Sequence, residues 1–140
     1  MAGFGFGYSG DGTGGSAPSI IVIGANGAKL TMTYVSELIT IAAAATSTSV
    51  ANLIPANSFI MGCVLRVTTA IPTAATFNVQ IATDLTTLMS AVAVAVNTTD
   101  TMFANQQLAP FFNATARQIL ITPNLTPAAA TGRVRFECFY

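Results

Sequence analysis

Seven side chains of this sequence could supply a nucleophile or an acid–base pair: the thiols of Cys63 and Cys138 and the carboxylates of Asp11, Glu37, Asp84, Asp100 and Glu137. Histidine is absent from the sequence, so the commonest general base and metal ligand is missing. A cysteine nucleophile would need another activator, yet neither thiol shares its strand face with a basic residue. The two cysteines form no CxxC motif and no metal-ligand spacing, and their neighbours mark them as small buried hydrophobes. The carboxylates stand singly among turn-like or strand-end residues, and nothing in their spacing specifies the carboxylate pair of a glycosidase. The sequence is therefore read as that of a non-enzyme with no cofactor and no metal.

Two further patterns carry little chemistry. GxGxxG occurs at Gly5, Gly7, Gly10 and again at Gly10, Gly12, Gly15, but a dinucleotide fingerprint needs a strand before it and a helix after it, and neither is legible here. Asn97, Asn113 and Asn124 open Asn-x-Ser/Thr triplets of the kind a threonine-rich chain generates by chance. The basic residues Lys29, Arg66, Arg117, Arg133 and Arg135 are scattered in sequence, which argues against a phosphate-tracking surface and hence against nucleic acid as a partner.

Composition points to contact rather than catalysis. The chain has 140 residues, 52% hydrophobic and only 7% charged, with a net charge of zero. Typical soluble domains carry about 25% charged residues. A lone monomer with such a surface would associate readily, because interspersed charge is what keeps copies apart. An assembled protein is expected. Residues 38–65 are free of charge and long enough to span a bilayer as a helix, but Thr46, Ser47, Thr48, Ser49, Asn52, Pro55, Asn57 and Ser58 interrupt every apolar run. No membrane partner is expected, and without a positively charged n-region the chain reads as soluble and unprocessed.

The elements that must position these residues are strands. The first fifteen residues, MAGFGFGYSGDGTGG, are glycine-rich and read as a flexible arm, in which Phe4, Phe6 and Tyr8 are candidate anchors for a partner's apolar pockets. From Ser16 the hydrophobic period is two. SIIVI and KLTMTY bracket GANGA, whose Asn26-Gly27 signals a small hairpin. ELITI follows, then a long strand over residues 59–71 with Phe59, Met61, Cys63, Leu65, Val67 and Ile71 on the inner face and Arg66 on the outer. Pro72 ends it, and TFNVQIA returns with Phe77, Val79 and Ile81 inward. LMSAVAVAV has helix-forming alanines, but its Ala/Val alternation favours a strand. Residues 97–100 read as a turn, and RQILIT and RVRFECFY as the last strands, with Val134, Phe136, Cys138 and Tyr140 on one side. The pattern predicts an all-β fold, an antiparallel β-sandwich of jelly-roll type, over residues 36–140, preceded by an arm over residues 1–35 that carries the candidate hairpin.

Three stretches, SELITIAAAAT, IPANSFIMGCVLRVTTAIPTAATFNV and RQILITPNLTPAAATGRVRFECFY, lie within residues 36–140, a span of about three-quarters of the chain. In them the sequence resembles a loose class of tailed-bacteriophage virion structural proteins. The resemblance implies a small capsid decoration, or cement, protein that clamps neighbouring capsomers on the outside of the shell. It further implies the major capsid protein as partner, self-association as a homotrimer, assembly in the bacterial host cytoplasm and a capsid-surface location in the virion. Under that reading Phe4, Phe6 and Tyr8 would reach the capsid. The alternative is a receptor- or glycan-binding knob of a tail or head fibre, which would use loops such as residues 97–100 and 122–131.

Overall fold

The computed structural model of the protein describes residues 20–23, 29–103 and 110–140. Every regular element among the described residues is a strand: β1 (Ile20–Ile23), β2 (Lys29–Met32), β3 (Tyr34–Thr40), β4 (Ser47–Thr48), β5 (Ser58–Ile60), β6 (Gly62–Thr69), β7 (Thr76–Ile81), β8 (Thr87–Ala93), β9 (Thr99–Thr101), β10 (Phe111–Asn113), β11 (Ile119–Pro123) and β12 (Arg133–Phe139). Two open four-stranded sheets form the body, one ordered β3-β12-β6-β9 and the other β4-β11-β7-β8, and all their pairings are antiparallel. Strands β5 and β10 pair separately, and β1 pairs with β2 as a hairpin. The all-β, antiparallel expectation agrees with this architecture. The turn residues Asn26 and Gly27 and the arm lie outside the described residues.

The order of strands has a simple regularity. Each of the sequence neighbours β3/β4, β6/β7, β8/β9 and β11/β12 holds the same position in the two sheets, so the chain crosses between sheets at every one of these loops. Pairing within a sheet is consequently long-range: Tyr34 at the start of β3 lies opposite Phe139 at the end of β12. The inward side chains of both sheets, among them Ile39, Leu65, Phe77, Val79, Ile121 and Phe136, belong to one buried cluster. Full burial of each such side chain contributes about 1.5–3 kcal/mol, which makes this cluster the main source of stability.

Period-two patterning holds where a strand has one partner sheet throughout. In β12 Val134, Phe136 and Cys138 are buried while Arg133 and Arg135 are exposed, and in β7 Phe77, Val79 and Ile81 are buried. The segment at residues 59–71 departs from expectation. It is two strands rather than one, and Phe59 and Met61 are exposed while Ile60 is buried. The chain leaves its pairing with β10 after Ile60 and joins β12 from Gly62, with the Met61 amide donating to the Phe139 carbonyl at 2.9 Å. Changing partner at Met61 shifts the alternation by one residue, so the two pieces have opposite parity.

β8 agrees with the strand reading of LMSAVAVAV as far as Ala93, after which residues 94–96 leave the strand, and it carries two irregularities. Leu88 and Met89 are consecutive and both buried, and Ala91 takes a positive φ of 53°, with its amide donating to Asn78 Oδ1 at 2.9 Å. The register against β7 slips at both places. Such bulges twist an edge strand away from further pairing. Residues 97–100 are a turn only in part: Asn97 has φ 67°, whereas Thr99 and Asp100 already belong to β9.

Among the described residues, every buried side-chain nitrogen and oxygen has a hydrogen-bond partner. Ser49 Oγ accepts the Ile119 amide at 2.9 Å and donates to the Val50 carbonyl at 2.9 Å, and Ser47 Oγ accepts the Ala42 amide at 2.8 Å. Fully buried Asn113 donates to the Pro55 carbonyl at 2.6 Å and accepts from Arg117 Nε at 3.1 Å. Asn124 Oδ1 accepts from the Ala75 and Thr76 amides at 2.9 and 3.1 Å. Two of the Asn-x-Ser/Thr triplets thus open on residues with structural work.

Two predictions follow from the core. A Cβ at Gly132 would lie 2.9 Å from Ile71 Cγ1 and 3.0 Å from Ile71 Cα, a backbone atom that cannot step aside. Gly132→Ala should therefore lower stability by about 1–3 kcal/mol, read as a lower urea midpoint with an unchanged m value. Cys63 and Cys138 are buried free thiols in direct register across β6 and β12. The hydrogen bond from Cys138, together with burial, raises the Cys63 pKa. Folded Cys63 keeps its proton where the unfolded thiol, with a pKa of about 8.5, releases it, so its stabilising contribution is complete below that pH and is lost as pH rises. Stability should fall as pH rises above about 8.5, and Cys63→Ala should lessen that fall in urea titrations at successive pH values.

Candidate interaction surface

The outward side chains of the β3-β12-β6-β9 sheet fall into rows set by its register. Tyr34, Phe139 and Gly62 form the first row, Ser36, Glu137, Val64 and Thr101 the second, and Leu38, Arg135, Arg66 and Thr99 the third. Arg133 continues the same face. The face is apolar at one end and cationic at the other.

At the cationic end Arg66 and Arg135 are direct cross-strand partners, both exposed. Like charges placed opposite each other oppose strand pairing. Their guanidinium groups turn to neutral acceptors, Arg66 Nη2 donating to Asn97 Oδ1 at 2.7 Å and Arg135 Nη1 to Ser36 Oγ at 3.0 Å. Among the described residues, none of Arg66, Arg133 and Arg135 has a carboxylate within ion-pairing distance, and the salt bridge present joins Arg117 to Asp84. The basic residues that appear scattered in sequence therefore include three gathered on one sheet face.

At the apolar end lies an open trough of about 250 Å³, lined by Met61, Gly62, Val64, Thr101, Phe103 and Phe139 together with Cys63. Gly62 is its floor: a Cβ there would lie 2.9 Å from Phe103 Cε2. The Phe139 ring stands 5.8 Å from that of Tyr34, extending the aromatic wall toward β3. Met61 and Phe103 are 43% and 48% exposed. Two residues before Met61, Phe59 is 52% exposed and sits in register with Phe112, 62% exposed, on the small β5-β10 sheet. These four large apolar side chains give the described surface an apolar region between the trough and the small sheet.

The four carboxylates among the described residues each engage a different partner. Glu37 accepts the Val50 amide at 3.0 and 3.1 Å, Asp84 binds Arg117, Asp100 accepts the Thr101 amide of its own strand at 2.8 Å, and Glu137 accepts from Ser36 at 3.4 Å. The Thr86 amide, then Arg117, hold the Asp84 carboxyl below the usual carboxylate range. Arg117 also reaches Thr83 Oγ1 at 2.9 Å and, through its backbone, bonds both ways with Ile54. This cluster ties β11 to the loops before β5 and after β7, which is a structural role. No group of three or more metal-ligating side chains occurs among the described residues.

The sequence-predicted anchors Phe4, Phe6 and Tyr8, like Asp11, lie outside the described residues. The exposed apolar positions that sequence reasoning missed are Phe59, Met61, Phe103 and Phe112. The signal for the first two was the parity change at Met61, detectable in sequence only as the Phe-Ile-Met run, in which both parities are apolar.

No family model matches this chain, and no curated protein sequence does. Among solved structures, a chain described as "Cyanophage Pam1 capsid asymmetric unit" is similar, with 19% sequence identity over 96% of this chain and 92% of that chain and a TM-score of 0.54. The two share a fold along nearly their whole lengths.

Proposed function

We propose that this protein is a structural component of a bacteriophage virion that binds the outside of the capsid and stabilises the shell by clamping neighbouring capsomers. The observation that carries the reading is the exposed apolar pair Phe59 and Phe112 on a chain with 7% charged residues. The fold shared with a chain of a cyanophage capsid asymmetric unit supports it. So does the engagement of the four described carboxylates, Glu37, Asp84, Asp100 and Glu137, each with a different partner.

The mechanism is thermodynamic. A protein that binds one state of the shell stabilises that state by RT ln(1 + [L]/Kd), about 2.7 kcal/mol per site at a hundredfold excess over Kd. Apolar anchors suit this task, because aromatic side chains packed at the centre of an interface carry most of its binding energy. In this reading the two sheets form a jelly-roll sandwich, the copies are trimeric at threefold positions of the shell, and Phe59 and Phe112 lie at the capsid contact.

Purified protein added to capsids that lack it should bind saturably, at roughly one copy per major capsid subunit if the sites follow shell symmetry. Phe59→Ser with Phe112→Ser should weaken that binding about 30-fold or more, the loss of one strong anchor at least, with the urea midpoint unchanged because both rings are exposed. A copy number in the tens per particle, or unaltered binding by the double variant, would overturn the reading. The first of these outcomes would favour a fibre knob.

A further inference from the structure

We infer that the outward face of the β3-β12-β6-β9 sheet is the docking site for the chain's own N-terminal arm, with the Phe4, Phe6 and Tyr8 side chains at the apolar trough and the Asp11 carboxylate on the Arg66–Arg135 pair. This places those aromatic residues on their own subunit, in contrast to the capsid-anchor expectation, and it does not depend on the virion reading.

Three observations support it. The first is chemical complementarity. The trough is built from aromatic and aliphatic groups with almost no polar atom at its surface, and the arm alternates glycine with Phe4, Phe6 and Tyr8, which an extended segment places on one side. A cavity of about 150 Å³ already takes up benzene, so the 250 Å³ trough has room for a phenyl ring. The second is spacing. Gly62 on the trough floor and Arg66 are four residues apart on β6, about 13 Å. Tyr8 and Asp11 are three residues apart, a reach of about 10 Å when extended, and Phe6 and Asp11 about 16 Å, which brackets the distance required, and Gly10 and Gly12 on either side of Asp11 permit the backbone rotation that turns its carboxylate to the side of the rings. Asp11 is the one charged residue of the arm, and the arginines opposite have no carboxylate within ion-pairing distance among the described residues.

The third observation is where the arm is rooted. Ile20 is in register with Met32, and the adjacent Thr33 exchanges backbone hydrogen bonds of 2.8 and 2.9 Å with Tyr140, the neighbour of Phe139 in the trough wall. The arm therefore enters beside the trough. The eight residues between Asp11 and Ile20 extend up to about 26–29 Å, more than enough to bring Asp11 to the arginine pair. A tether of this length gives an effective concentration of order millimolar, which favours the chain's own arm over that of a second copy at micromolar protein.

The test is a competition read by fluorescence anisotropy, with a dye-labelled synthetic peptide of residues 2–12 as the probe. The full chain carrying Phe4→Ser, Phe6→Ser and Tyr8→Ser should bind the peptide, and the unaltered chain should bind it at least about tenfold more weakly because its own arm holds the site. In the triple-variant chain, Gly62→Val fills the trough and should abolish binding. Arg66→Gln with Arg135→Gln, exposed changes that leave the core intact, should weaken binding several-fold, as should a peptide with Asp11→Asn, and added salt should have less effect on either. Equal binding by the unaltered and triple-variant chains, no binding by the triple variant, or indifference to the arginine changes would overturn the inference. Self-association of the unaltered chain in sedimentation that the triple variant lacks would overturn it in favour of a second copy's trough as the arm's site.

Discussion

The structure depends on β12 lying between β3 and β6. These seven residues, Arg133–Phe139, close to the end of the sequence, pair on one side with residues 34–40 and on the other with residues 62–69. Neither neighbour has another long partner, since β6 meets only three residues of β9 and β3 is the sheet edge. The core face of β12 supplies Val134, Phe136 and Cys138 to the buried cluster, and its outer face supplies Phe139, Glu137, Arg135 and Arg133 to the interaction surface. Core and surface are therefore opposite sides of a single strand, and anything that shifts its register by one residue exchanges the two. The slip between Arg133 and Val134 against β6 is confined to the strand's first residue, where it leaves the register of the rest intact.

This arrangement has a kinetic consequence. Because sequence neighbours alternate between sheets, almost no strand pairs with the one adjacent to it in the chain; β7 with β8 is the exception in the main body. Loop closure must be achieved before most pairings are rewarded, the condition under which β proteins fold slowly and expose strand edges for longer. The bulges of β8 and the two-residue length of β4 blunt both edges of one sheet. In the other, Glu37 of the edge strand β3 accepts the Val50 amide, so a side chain ties down the loop that passes that edge.

Legibility from sequence followed the same physical division. Strands that keep one partner and one buried face, β7 and β12 above all, show their alternation directly, and their inward residues are those that periodicity predicts. The outward position of Arg66 was legible for the same reason. The split at Met61 was not, because Phe59, Ile60 and Met61 are all apolar and the parity that decides between them comes from which strand lies alongside. The surface was hidden for a related reason. Arg66 and Arg135 are 69 positions apart in sequence and become neighbours only through the β6–β12 register, so a reading along the chain sees isolated charges where the fold makes a pair.

Met61 and Gly62 are where these constraints meet. Had the alternation of residues 59–71 continued unbroken, Phe59 and Met61 would have joined Cys63 in the core and the apolar end of the outer face would have lost Met61. Changing partner at Met61 instead turns two large side chains into solvent, and glycine at the next position leaves the space that the Phe103 ring overhangs. A Cβ at position 62 would lie 2.9 Å from the Phe103 ring, so the absence of a side chain there keeps the space beneath that ring open. Exposure of Met61 is a local cost to folding, and the same position lines the trough. Local cost concentrated where a surface is formed is the pattern expected when contact with another segment, rather than folding alone, determines which residues stand there.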